Sequence, residues 1–542
     1  MPLEQKTKEM QDNRDKKGIA RRDILKGLAA LPVLGVFFAS AGFKSAHDKR
    51  IRNSILQELD VKAAAPPPSG PMSGPPINIG IIGFGGRGEH LTRALGYATP
   101  QWIELIKNDT LAPPHDTRLK DYFEQENLNV RIAGICDVFD VRTETGVAAG
   151  ARNGHQAKAY RDYRAMLDDP DIEAVVIATP DHWHAPIAIA ALQAGKHVYL
   201  EKCMTHKLGE TYELYETAKN AQAIFQVGHQ HRQTQSFLTA QDIIRKNVLG
   251  HISLIQTNTN RNDDVGAWQY DIHPDANPRT VDWQGFLGNA PSIPFDAEQL
   301  FRWRKYWAYG TGLSGDLLTH DYDRINCLLN MGIPSVVTAS GGIYTHRDNR
   351  EVPDVFQVVM EYPDFFMGSS QAEGKEKGMT FLYSASLGNQ YDRGTLLMGH
   401  DATMQLGQAL AVYADPVSTR YLPMIEEGII QPDVPIYAYD PSAEGIDAVT
   451  GATAKYFANK GLMYTYRDGK RVDSTYLHLR EWLSVIRNGG KVSAGIEEGF
   501  EEAISAHMAT IAYRTGKRVE WDPVARRIKG FEDGALEAIG MA

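Results

Sequence analysis

The stretch from Ile77 to Leu91 reads INIGIIGFGGRGEHL, an apolar run that breaks into closely spaced glycines and then turns polar. The isoleucines before Gly83 suit a strand buried on both faces. Gly83, Gly85 and Gly88 stand at the G-x-G-x-x-G spacing, with Gly86 and Arg87 between them, which lets a backbone approach a pyrophosphate at a helix N-terminus. Glycines also cluster in ordinary tight turns, so the constraint depends on the strand pattern downstream of them. After a helix-length segment and a polar excursion comes VRIAGICDVFD, whose apolar core ends at Asp137. A nucleotide-binding fold places there the acid that bonds a ribose hydroxyl, usually about 20 residues after the glycines. Here the excursion lengthens that spacing. The carboxylate favours NAD over NADP, although Arg87 and Arg142 are near in sequence, and a plain turn residue is the other reading of Asp137.

Further on, DIEAVVIATPDHWHAPIAIAALQAGKHVYLEK and AIFQVGHQHR alternate β-rich runs with an amphipathic, helix-length segment. This βαβ alternation predicts a parallel sheet. Right-handed crossovers then gather Gly83, Asp137, Thr179, Pro180, His184, Glu201 and Lys202 along one sheet edge, where a ligand binds.

The whole chain narrows the classes. Its 542 residues allow roughly two to four domains. The net charge of −10, from 57 basic against 67 acidic residues with no basic stripe, argues against nucleic acid as a partner. Three cysteines without C-x-x-C spacing predict no disulfide framework. Near the start, Arg21-Arg22 followed by a modest apolar run and Ala39-Ser40-Ala41 resembles a twin-arginine export signal over residues 1–41, with an uncleaved anchor as the alternative. That predicts a periplasmic or otherwise exported protein, handled by the twin-arginine machinery and moved already folded. Residues 42–76, rich in Pro, Ala, Ser and Gly, read as a tether.

The stretches IGIIGFGGRG, YRDYRAMLDDPDIEAVVIATPDHWHAPIAIAALQAGKHVYLEK and YGTGLSGDLLTHDYDRIN occur in that order. Over roughly residues 77–535 the chain resembles the Gfo/Idh/MocA oxidoreductases. The resemblance implies an α/β protein: an N-terminal Rossmann dinucleotide-binding domain, 77–205, then a C-terminal α/β domain with an open, largely antiparallel sheet, 206–542. Residues 391–459 read as a glycine-rich, irregular insertion that shapes the pocket or an oligomer contact, and a homo-oligomer is expected. The family's E-K-P motif stands here as Glu201-Lys202-Cys203.

Dehydrogenating a hydroxyl needs a group to take its proton while the carbinol hydrogen leaves for the nicotinamide. Lys202, at a strand end beside the expected ring, suits that task. Asp316 and His320 are four apart in GDLLTHDYD, so on a helix they share a face. The resemblance implies that His320 is the acid/base and that Asp316 orients it or binds a sugar hydroxyl. The histidine pairs in TPDHWH and GHQHR invite a metal reading, but lacking carboxylate or cysteine partners at fixed spacing they predict no metal site. The resemblance instead puts His184 against the dinucleotide and Trp183 beside the nicotinamide or the sugar. In FRWRKYWAYGTG, Trp303, Trp307 and Tyr309 form either a stacking wall for a pyranose or ordinary core. His478, by the same analogy, faces the interdomain pocket.

These readings converge on an exported NAD(P)-dependent oxidoreductase, NAD being favoured, acting on a hydroxyl of a sugar, glycoside or polyol with a tightly bound, recycled cofactor. The alternative is a redox-neutral NAD-dependent glycoside hydrolase, which oxidises the ring transiently, eliminates the aglycone, adds water and returns the hydride.

Overall fold

β1 (Ile77–Ile82) is buried at every position but Asn78, as a central parallel strand covered on both faces must be. In this computed structural model, which describes residues 70–110, 112, 116–151, 155–365, 378–407, 409–439, 464–467, 470–531 and 533–541, β1 lies between two parallel neighbours. These are β2 (Val130–Cys136) and β4 (Ala174–Ile177). With β3 (Lys158–Tyr160), β5 (His197–Leu200) and β6 (Phe225–Val227) the order is β3-β2-β1-β4-β5-β6, the doubly wound Rossmann arrangement. Register brings Ile82 level with Cys136 on one side and Ile177 on the other. The turns at the ends of these strands therefore open at one edge.

The parallel sheet does not stop at residue 205: β6, from the β-rich run AIFQV, completes it. Nor is this half built only from the chain's first part. The helix Ser474–Asn488 returns to it and buries Leu479, Trp482 and Leu483 in one cluster with Ile79, Ile81, Val176 and Tyr199.

The second sheet has the order β14-β13-β12-β11-β7-β10-β9-β8-β15-β16. It contains β7 (Ile252–Asn260), β8 (Val336–Gly342), β9 (Val355–Tyr362) and β10 (Met379–Ser386). It ends in β15 (Val519–Asp522) and β16 (Arg527–Ile528). Only β7 and β10 pair in parallel; the other pairings are antiparallel. Residues 391–439 are not irregular. They form β11 (Thr395–Gly399), β12 (Ala402–Leu406), β13 (Leu410–Ala414) and β14 (Tyr437–Tyr439), a meander that extends the sheet. These strands are five residues or shorter, and glycines between them mask their alternation. Residues 440–459, like the twin-arginine segment and most of the 42–76 tether, lie outside the described residues.

Candidate active site

Between the two sheets lies a cavity of about 1080 Å³. At one end is the glycine turn. Gly83 has φ +88°, and a Cβ there would meet the Ala178 carbonyl oxygen at 2.6 Å, so this position requires glycine. Gly85 and Gly86 line the cavity, with nothing within 4 Å of a Cβ placed on Gly86. Helix α1 (Gly86–Ala94) starts here with Gly85 as its N-cap and no side-chain acceptor, which leaves first-turn N–H groups for an anion. Gly88 is not on the cavity, contrary to expectation. Its Cβ would overlap the Gly83 carbonyl oxygen, so it serves the close packing of helix against turn.

Asp137 accepts from Phe84 N at 2.7 Å and from Phe139 N at 2.9 Å. It braces the glycine turn, as the turn-residue reading has it, and it also lines the cavity. Thr179 and Pro180 line the middle, and Thr179 Oγ1 is buried with no partner among the described residues. An orphaned hydroxyl, an uncapped helix start and a glycine cradle together fit a bound dinucleotide. Arg87 and Glu201 line the same region and are engaged with each other, Nε donating to Oε1 at 2.8 Å, which pins α1 to the end of β5.

His184 lines the cavity and also acts as a structural clamp. Its Nδ1 is 2.6 Å from the Cys203 carbonyl oxygen and its Nε2 is 2.9 Å from that of Thr179, so both ring nitrogens are occupied. This ties the turn after β4 to the turn carrying Lys202. The peptide between Lys202 and Cys203 is cis. Asp181 links the same turn to the other half, accepting from Thr311 N at 3.0 Å and from its hydroxyl at 2.8 Å.

At the far end Lys202 Nζ donates to the Asp316 backbone oxygen at 2.6 Å and to its Oδ1 at 2.9 Å. Arg304 Nε adds a bond to Oδ1 at 3.0 Å, and Trp268 Nε1 reaches Oδ2 at 3.1 Å. Burial alone would raise the Asp316 carboxyl, but Lys202 and Arg304 outweigh it and hold it well below the usual carboxylate range. Asp316 therefore positions the lysine and not His320. The reason is local: Ser314–Leu318 is a π-helical turn ahead of the α-helix Thr319–Leu329, so the two residues do not keep the simple i, i+4 relation.

His320 lines the cavity with its ring against His231, centroids 4.9 Å apart, and with its buried Nδ1 unpartnered. Burial first, and the Lys202 charge second, hold its pKa well below the ordinary imidazole value. At neutral pH it is a free base. In the TPDHWH pair His182 is engaged in structure: its Nε2 is 2.7 Å from the Phe286 carbonyl oxygen, and burial pulls its pKa down to about 4. Among the described residues no group of three or more His, Cys, Asp or Glu is placed to hold a metal.

Trp183 and Trp303 line the cavity, the first with its indole N–H donated to Phe286 O at 2.9 Å and the second beneath the Arg304 guanidinium at 4.2 Å. Tyr309 is core, 1% exposed, with its hydroxyl on Gln299 at 2.8 Å. Trp307 gives its indole N–H to Glu351 O and packs against the larger core. His478 is fully buried beside Val227 and Tyr199, off the cavity, because its helix turns that face toward the Rossmann sheet. Arg304 and Trp268 were not anticipated. Arg304 lies in a stretch whose aromatics drew the attention, and Trp268 is in a loop with no periodic signal.

Two family models match in order: the NAD-binding Rossmann fold of an oxidoreductase family over residues 77–229 and its C-terminal α/β domain over 242–380, together just over half of the chain. Levoglucosan dehydrogenase of Pseudarthrobacter phenanthrenivorans is 23% identical over 390 residues, 68% of this chain and 84% of that protein. The NADP-dependent scyllo-inositol 2-dehydrogenase of Bacillus subtilis is 28% identical over 211 residues, 39% of this chain and 49% of that protein. A solved levoglucosan dehydrogenase in complex with NADH has the same fold, with TM-score 0.52 at 18% identity over 82% of this chain and 98% of that one. With a Rossmann domain that fits a dinucleotide and a second domain that closes the cavity over it, the chain belongs to the Gfo/Idh/MocA family of oxidoreductases.

Proposed function

We propose that the protein oxidises or reduces a hydroxyl of a sugar, glycoside or polyol, using NAD held by the glycine turn. The observation that carries this reading is that Lys202, braced by Asp316, and His320, kept neutral by burial, open onto the same cavity as that turn. Lys202 Nζ holds the substrate oxygen as a hydrogen-bond donor, and His320 accepts its proton. Bound NAD supplies the oxidant, taking the carbinol hydrogen with its electron pair. The levoglucosan and inositol dehydrogenases among its relatives support a sugar or polyol substrate. The hydrolase alternative draws no support from them.

The twin-arginine pair, Arg21-Arg22, supports export of the folded, loaded protein. Outside the cytoplasm free NAD is scarce, so the cofactor stays bound and is recycled by a second substrate. That calls for roughly nanomolar affinity, about −12 kcal/mol. A homo-oligomer is part of the same proposal, checked by light scattering. The deciding experiment denatures folded, purified protein and assays the extract by mass and ultraviolet spectrum, then follows nicotinamide absorbance as sugars are added. Stoichiometric dinucleotide that changes redox state with a sugar is expected. Folded protein that neither carries nor binds dinucleotide overturns the reading.

A further inference from the structure

Most basic side chains lining the cavity have partners. Arg87 is paired with Glu201, Arg161 with Asp140 and Arg164 with Asp162, while Lys202 and Arg304 share Asp316. Arg142 spreads over Phe139 and Phe301 near the glycine turn. Neither Arg142 nor Arg261 has a side-chain hydrogen-bond acceptor or a carboxylate within ion-pair distance among the described residues, but Arg142 rests on aromatic rings at the glycine end, whereas Arg261 stands at the end that holds Lys202 and Asp316.

Its placement is nevertheless defined. Arg261 directly follows β7, and its N–H donates to the Ser386 carbonyl oxygen at the end of β10 at 2.9 Å. Its stem lies across Gly266, where a Cβ would meet Arg261 Cβ at 2.8 Å and Cδ at 3.1 Å. Any side chain at 266 would displace it. The guanidinium is within electrostatic reach of Asp316 and Asp321, yet neither is its partner. Asp316 is filled by Lys202, Arg304 and Trp268, and Asp321 by Thr259 at 2.6 Å and Arg324 at 2.9 Å.

The charges at this end do not cancel. Lys202, Arg304 and Arg261 face the buried Asp316 and the Thr311-bound Asp181, which leaves one positive charge over among the buried groups; Asp271, and Asp263 beside the Arg261 stem, are exposed to solvent. The surplus charge is on the unpaired group. A planar guanidinium on a fixed stem suits a carboxylate held through two parallel hydrogen bonds.

Building on the proposed sugar oxidoreductase activity, we infer that Arg261 binds a carboxylate of the substrate, so that the substrate is a sugar acid, a uronate or an aldonate or a glycoside of one. A neutral sugar leaves the half-buried guanidinium without a counter-charge, which sets the preference.

The test uses the protein loaded with NAD and compares methyl glucuronide, methyl glucoside and glucose 6-phosphate. Binding is measured by titration calorimetry and turnover by nicotinamide absorbance. Glucuronide is expected to exceed glucoside by about 100-fold in kcat/KM and to bind more tightly than the phosphate ester. Arg261→Gln should lower the glucuronide value by about 100-fold and the glucoside value by less than about threefold, with Arg261→Lys recovering part of the loss. Equal use of glucuronide and glucoside, or an equal fall for both in Arg261→Gln, overturns the assignment while leaving the oxidoreductase reading intact. Tighter binding of the phosphate ester overturns the carboxylate. Loaded protein whose nicotinamide responds to none of the sugars fails at the oxidoreductase reading itself.

Discussion

The glycine wall of the cavity comes from one stretch of chain, Gly83 to Gly86, whereas the wall facing it joins Lys202, Arg304 and the Asp316–His320 segment from three separate stretches, with Trp268 holding Asp316 from behind. The first wall presents backbone: a positive φ at Gly83, an uncapped helix start, and a glycine at 88 that lets helix and turn touch. The second presents side chains, each held by another from far along the chain. A ligand's phosphates need only N–H groups in a tight turn, which local chemistry can build. A proton transfer needs a donor and a base at set positions in a desolvated site, which local chemistry cannot build.

If the two walls divide the work in this way, changes in the second should stop the reaction with the cofactor still bound. Lys202→Met should cut turnover by about 10²- to 10⁴-fold while dinucleotide content stays stoichiometric, and His320→Ala should behave alike. Full activity in either variant would remove that residue from the chemistry. Asp316→Asn is next in size. It leaves Lys202 and Arg304 without their shared counter-charge, a loss of about 3 to 5 kcal/mol of stability for a broken buried pair, read from denaturant midpoints.

The glycine wall should respond in the opposite sense. Gly88→Ala forces the turn away from α1 and should cost about 1 to 3 kcal/mol, read as weaker dinucleotide binding and lower stability. Once the cofactor is saturated, turnover in this variant should be near normal. A loss of turnover at saturation would mean that the two walls are coupled.

The smallest effect is a slope with pH. His320 and His231 have folded pKa values well below the ordinary value, so beneath about 6.5 the unfolded chain takes up protons that the folded one refuses. Stability contributed by these groups is present above about pH 6.5 and falls as pH drops, by up to about 1.4 kcal/mol per pH unit for each histidine. His229, with its pKa raised beside Asp323 and Glu502, works against that trend. Denaturant unfolding at pH 7, 6 and 5 should show the decline, and His320→Gln should flatten it by one proton. A slope unchanged by His320→Gln would mean that this imidazole is already charged in the folded protein.

Legibility followed the same division. The Rossmann strands, the glycine turn and Asp137 could be read because each is a contiguous pattern with a local cause. Lys202 and His320 were legible through resemblance to a family and not through spacing. Two assignments went astray for one reason, that a side chain's direction depends on its neighbours. His478 faced the Rossmann sheet, and Asp316 left His320 for Lys202 across a π-helical turn; of the two readings open for Tyr309, the core is the one its burial supports.

By itself the sequence determined where the backbone could bend sharply, which strands would be buried on both faces, and that a dinucleotide cradle would form at the first of them. Glycine spacing and apolar runs act within a few residues. Which cation would be paired and which left free was decided only by the tertiary structure. Lys202 meets Asp316 because two domains close on each other, Arg304 joins them from Asp316's own domain, and Arg261 is left over because the buried carboxylates near it are already taken. A charge finds its partner through space, and nothing in the order of residues records the distance.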